Sequence, residues 1–215
     1  MSELDRWIDY IFNHPVTGPE WYHAEDAPPW AGSPDQIPAL ISETFERAGE
    51  LLAPFPDDRL NQGFWCLHFS DITVAEAAKA TPRVVRSFIP LFEQLMTPRC
   101  TPHLGHLSEK GGSPLNESCY MWWDSLRFDL WHGTPHCTPW SSLHDEIVIT
   151  QQRLLAIPHD ACHESALHGL GHLIHDYPER RGELTRVVDE LLWRNPDLRP
   201  ELIAYAAQAK AGQIL

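Results

Sequence analysis

The chain has 215 residues, 16 Lys and Arg against 30 Asp and Glu, and a formal net charge of −14. That balance excludes the clustered cations on which nucleic-acid binding depends and disfavours anionic lipid, and no stretch approaches the roughly 20 apolar residues of a membrane span. A chain of this size removes about 70% of its unfolded surface from water, enough for a substantial core without disulfide support.

Leu4, Trp7, Ile8, Ile11 and Phe12 fall on one helical face, with Ser2 as cap and His14-Pro15 as stop. Residues 13 to 36 hold five Pro and two Gly and predict an irregular segment anchored by Trp21, Tyr22 and Trp30. A second stripe runs from Ile37 to Leu52 and ends at Pro54 and Pro56. Asp58 to Phe69 reads as an aromatic-rich helix, followed by a short piece near Val74 to Ala80. Val84, Val85, Phe88, Leu91, Phe92 and Leu95 mark another helix, in which Pro90 predicts a kink or an early break. Residues 97 to 115 read as a loop, Asn116 as the cap of a helix through Trp123, and 131 to 140 as a second loop.

The C-terminal third carries the most regular pattern. Ser142 is read as the cap of a helix through Ile157, and Asp160 as the cap of one carrying Ala166, Leu167, Leu170, Leu173 and Ile174 inward. Leu184 to Leu192 form a third stripe, and Pro200 opens a final helix through Leu202, Ile203 and Ala206. No alternating run is long enough for a sheet. The expected fold is all-α, with stacked helix pairs forming a bundle or short superhelix with long Pro-rich loops. It is read as one helical domain over 1–215, aromatic- and Pro-rich in 1–140 and built of regular helix pairs in 141–215. Five scattered Cys, an odd number, together with an acidic start lacking a cationic region before an apolar run, predict reduced thiols and a cytoplasmic protein.

Five of the thirteen His lie between His159 and His175. On a helix, Glu164, His168, His172 and His175 fall within about 80° of one another. His168 and His172 stand at i and i+4, where two imidazoles can share one metal ion. The expected reading of this face is helix–helix packing with no cofactor; the alternative makes the same four residues the candidate set for zinc or iron. The run Glu164-Ser-Ala-Leu-His-Gly-Leu-Gly-His-Leu173 resembles the second helix of a HEAT or armadillo-type repeat, over residues 142–211. That resemblance implies a concave surface for protein partners. One enzyme group on such repeats, deoxyhypusine hydroxylase, holds iron through repeated His-Glu pairs. Only the adjacent pair His163-Glu164 matches here, so that activity is not implied.

Three further groupings carry weaker chemistry. Cys100, His103, His106 and Cys119 have zinc-ligand types without a finger spacing, and His132, His136 and Cys137 place a thiol beside imidazoles. Trp122 and Trp123 point about 100° apart on a helix, so either the two are buried in neighbouring cores or one of them, with Asp124, is a candidate contact anchor. No Gly-rich phosphate loop, nucleophile elbow or dinucleotide fingerprint is present. The acidic balance and the surplus Trp favour a non-enzymatic binding module of inhibitor or immunity type, directed at a basic protein partner. The alternative is a metal-dependent hydrolase or oxygenase using residues 164–175.

Overall fold

A computed structural model describes residues 1–69, 81–102, 112–125 and 140–214, with side chains throughout except at 68, 69 and 125. The predicted piece at 74–80, the His103–His106 pair and the His132, His136 and Cys137 group lie outside these residues. Among the described residues the only regular structure is helical, so the protein is all-α. No described helix is long and apolar enough to cross a membrane.

Helix α1 (Glu3–Phe12) starts from a capping box: Ser2 Oγ accepts from the Asp5 N–H at 3.0 Å, and the Asp5 carboxylate accepts from the Ser2 N–H at 2.7 Å. It buries Trp7, Ile8, Ile11 and Phe12, as its periodicity predicts. The irregular segment after it holds two 3₁₀ turns, Trp21–His23 and Pro34–Gln36. Ring contacts fasten that segment down, with Trp30 edge-on to Trp7 at 5.2 Å and His14 stacked on Trp21 at 3.8 Å.

The single stripe expected over 37–52 is two helices, α2 (Ile37–Glu46) and α3 (Ala48–Leu51). Arg47 leaves helical geometry between them, and Gln94 reaches across to accept from the Gly49 N–H at 3.0 Å. Helix α4 spans Asp57–Phe69, within a residue of expectation. Helix α5 (Pro82–Leu91) is capped by Thr81 and passes through Pro90 without ending. Its continuation widens to a π-helical turn at Phe92–Met96, and then runs as α6 (Thr97–Arg99) into the stretch read as loop. The Phe92 carbonyl accepts twice from Thr97, from its backbone N–H across the wider turn and from its Oγ1 at 2.8 Å.

Helices α7 (Leu115–Tyr120) and α8 (Trp122–Ser125) are separated by a turn at Met121. Asn116 lies inside α7, not at its cap. Its side-chain amide bonds both the N–H and the carbonyl of Thr101, at 2.9 and 3.2 Å. Four helices follow: α9 (Ser142–Leu155), α10 (Asp160–Asp176), α11 (Arg181–Arg194) and α12 (Pro200–Ala211). The caps of α9 and α10 are Ser141 and His159, each one residue before the residue expected. Pro200 opens α12 as predicted, and Gly212 closes it at φ +68°.

Helix α10 is the axis of the molecule. Every residue from Ala161 to Gly171 is buried. Around it pack α7, α8, α9, α11 and α12, while α5 on α9 and α4 on α7 join the N-terminal helices to the same core. Helix α10 is therefore enclosed on all sides over three turns, and its polar residues must find partners inside the protein.

Candidate metal centre

Two features of sequence place the site. His168 and His172 are one turn apart on α10, so their rings project side by side. Asp124 arrives from α8, a helix of four residues that its two tryptophans pin in place. Trp122 is fully buried with Phe45, Phe64, Phe88 and Phe92 edge-on around it, at centroid distances of 5.4 to 5.8 Å. Trp123, 1% exposed, lies over Gly169, where a Cβ atom would stand 2.5 Å from its ring. The missing side chain at 169 lets α8 come close enough for Asp124 to reach the histidines. Both rings of the tryptophan pair are thus buried in this chain, and neither is the exposed contact anchor expected at 122–124; Asp124 belongs to an internal site.

The three side chains converge. Asp124 Oδ2 is 3.0 Å from His168 Nε2, and Asp124 Oδ1 contacts His172 Nε2. The two Nε2 atoms are 3.1 Å apart. Among the described residues this is the one group of three in which all ligand-type atoms lie within 4.8 Å of each other. His168 is fully buried, while the side chains of His172 and Asp124 are 31% and 22% exposed, so the cluster has one sealed side and one open side.

A polar chain supports it from behind. Tyr205 of α12 donates to Tyr120 of α7 at 3.2 Å, which leaves its oxygen to accept from His168 Nδ1 at 2.6 Å. That bond assigns the imidazole proton to Nδ1. The Nε2 lone pair of His168 then faces a carboxylate oxygen at 3.0 Å, an arrangement that calls for a positive charge between them: a second proton or a metal ion. Burial opposes charge on Asp124, but with positive charge shared between it and the two imidazoles their attraction outweighs burial and holds the carboxyl well below the usual carboxylate range. Burial also pushes the Tyr120 phenol up to about 12 and Tyr205 further still, so both remain hydrogen-bonding phenols at neutral pH.

Of the four ligands read from the sequence, His168 and His172 are in the cluster. Glu164 is buried one turn earlier on the same stripe, where its charge bears on Tyr120 and Tyr205; it is not among the three converging residues. His175 is exposed in the last turn of α10, against the backbone of Gly212, and is also outside the cluster. Asp124 was not grouped with the histidines because it stands in a distant segment, and no spacing rule connects the two segments.

No family model, no characterised protein and no solved structure matches this chain. The chemistry of the site therefore rests on its donor set. An ion bound about 2.0–2.2 Å from each donor places neighbouring donors about 3.0 Å apart in octahedral and about 3.4 Å apart in tetrahedral geometry. The 3.0 and 3.1 Å separations match the octahedral value, whereas the contact of Asp124 Oδ1 with His172 Nε2 is closer than either geometry allows.

Proposed function

We propose that Asp124, His168 and His172 bind one divalent metal ion and that the protein is a metal-dependent enzyme of the hydrolase type. The observation that carries this reading is the convergence of two Nε2 atoms and one carboxylate, with His168 Nδ1 committed to Tyr205. Two imidazoles and a carboxylate with an open side are the pattern of catalytic rather than structural zinc, and ferrous iron uses the same donors in oxygenases. A zinc ion held there would polarise a water molecule into a nucleophile at neutral pH. The chain's own part is to fix the ligands: Tyr205 sets the ring of His168, and the tryptophan pair sets Asp124. A carboxylate already ionised across the neutral range needs no deprotonation to bind metal.

The test is metal content after equilibration with zinc or, without oxygen, ferrous ion. One equivalent is expected, and it should be lost in both His168→Ala and Asp124→Ala. Binding that survives both substitutions, or no binding at micromolar metal, overturns the proposal. Retention of iron in preference to zinc would move the reaction class from hydrolysis to oxygenation.

A second reading keeps the acidic surface as a docking face for a basic protein partner, of inhibitor or immunity type. Supporting it are the net charge of −14 and Trp193, which is 81% exposed on α11 beside the Glu190–Arg194 ion pair. Such binding weakens steeply with salt. An affinity unchanged between low and high salt, or unchanged in Trp193→Ala, removes it.

A further inference from the structure

The start of α9 carries a second chemically distinct group, apart from Asp124, His168 and His172. Ser141 caps this helix and is exposed, while His144, three residues on, is buried. His144 Nδ1 accepts from the Ser141 N–H at 3.0 Å and stands 2.9 Å from the Ser141 hydroxyl oxygen. A backbone N–H can only donate, so Nδ1 bears a lone pair and the neutral imidazole carries its proton on Nε2. Nε2 donates that proton to the phenol oxygen of Tyr177, 2.8 Å away at the end of α10. The Ser141 hydroxyl therefore donates to Nδ1. A capping box needs only the helix N–H on the Ser oxygen and the cap N–H on the partner side chain. Both are present here, so the bond from hydroxyl to imidazole is additional to what the helix requires.

The surroundings fix the ring and leave the hydroxyl open. Trp140 stacks on His144 with ring centroids 5.0 Å apart and meets Tyr177 edge-on at 5.1 Å. The indole is itself held: its Nε1 donates to Asp145 at 2.7 Å, and the Arg180 guanidinium lies 4.8 Å from its centroid. Burial holds His144 below the ordinary histidine range, which leaves it neutral and able to take a proton at neutral pH. Protonating Nδ1 forfeits the bond from the Ser141 N–H; the stacked indole face and the Asp145 carboxylate favour the imidazolium in return. The backbone bonds of α9 begin with the His144 N–H on the Ser141 carbonyl at 3.0 Å. The N–H groups of Ser142 and Leu143 come before them, directly after the hydroxyl, at the positive end of a 14-residue helix.

We propose that Ser141 is a nucleophile that cleaves carboxylic esters, with His144 as its base and Tyr177 as the residue that positions the imidazole. Nucleophile, base and orienting group stand in one hydrogen-bonded line, as this chemistry requires. Ser141 Oγ attacks the ester carbonyl carbon; the O–C bond forms and the hydroxyl proton passes to His144 Nδ1. The carbonyl oxygen takes the negative charge, and the N–H of Ser142, the residue after the nucleophile, is its donor. The bond from carbon to the alcohol oxygen then breaks, and that oxygen leaves with the proton from Nδ1. Water attacks the acyl-serine, gives its proton to Nδ1, and the Ser141 oxygen recovers that proton as the carboxylic acid departs. A base held below its usual range is a weak one, which suits an ester with its good leaving group rather than an amide.

The full-length protein, kept in excess chelator, should be incubated with a fluorophosphonate probe and the adduct mapped by mass spectrometry. A single adduct at Ser141 is expected, absent from Ser141→Ala and from protein unfolded in urea. Hydrolysis of p-nitrophenyl acetate should be lost in Ser141→Ala. His144→Gln should slow labelling by about 100-fold or more, and Tyr177→Phe should lower kcat with KM unchanged. An adduct at any other residue, no adduct on the folded wild-type chain, or hydrolysis undiminished in Ser141→Ala would each overturn the proposal. The wild-type map decides even where His144→Gln folds poorly. Because the chelator strips any ion from Asp124, His168 and His172, the result is independent of the metal reading.

Discussion

Replacing Tyr205 by Phe deletes one oxygen from the buried chain behind the proposed metal site and little else. Tyr205 is 2% exposed and its ring packs between helices, so the substitution leaves the packing volume almost intact. It removes the acceptor 2.6 Å from His168 Nδ1, and His168 has no exposure through which water could replace it. A buried donor left without its acceptor costs about 1–3 kcal/mol. The same loss releases the ring orientation and the tautomer that present Nε2 to Asp124. Removing such an outer partner of a metal-ligating His lowers metal affinity about 10–100-fold, or about 1.4–2.7 kcal/mol. Urea denaturation with chelator present should show a lower midpoint at unchanged slope. Competition with a chromophoric chelator should show the weaker zinc binding. Tyr120→Phe is the control, because the bond between Tyr205 and His168 survives it; its affinity should stay within about threefold of wild type by the same reasoning. If Tyr205→Phe lowers stability yet leaves zinc affinity unchanged, the assignment of the His168 proton to Nδ1 is wrong.

Other consequences can be checked on the purified protein. Trp122→Ala removes the ring that four phenylalanines surround and should cost about 3–5 kcal/mol, seen as a fall in Tm on the order of 10 °C; a shift under ~3 °C would contradict this core. Gly169→Ala should destabilise by about 1–3 kcal/mol despite the better helix former, because the new Cβ meets the Trp123 ring and the Gln151 amide. A more stable variant would show that α8 does not need that gap. Burial holds His144 and His163 below the ordinary histidine value of 6.5, so the unfolded chain takes up their protons first as pH falls. Their contribution is complete above about pH 6.5 and is lost below it, while His159, raised by Cys162, opposes them as a single group. Stability by urea should decline from pH 7 to pH 5, with a shallower decline in His144→Gln; an equal slope in that variant would refute the His144 share.

How much of this was legible beforehand differs by element. The stripe Trp7, Ile8, Ile11 and Phe12 and the Pro200 start are local facts of periodicity and backbone chemistry, and they appear as read. The break at Arg47 was not legible, nor was which of the two outcomes at Pro90, a kink or an early break, would occur. Each depends on a group that arrives from elsewhere or on a change of helical pitch: Gln94 catching the Gly49 N–H, and the π turn whose Phe92 carbonyl takes both the N–H and the hydroxyl of Thr97. The caps of α9 and α10 were each misplaced by one residue. At Ser141 the deciding contact is a histidine, His144, whose Nδ1 accepts from the Ser141 N–H at 3.0 Å.

For the site, the sequence by itself determined that His168 and His172 stand one turn apart on a helix, because 3.6 residues per turn leaves no other arrangement. It also determined that Gly169 sits beside them without a side chain, and that the chain is acidic and helical. Only the tertiary structure decided that Asp124 joins the pair and that Glu164 and His175 stand apart from it. The physical reason is burial. Once α10 is enclosed over three turns, each polar group on it must be matched by one from another segment, and which segment supplies the match is set by how helices distant in sequence pack around that axis.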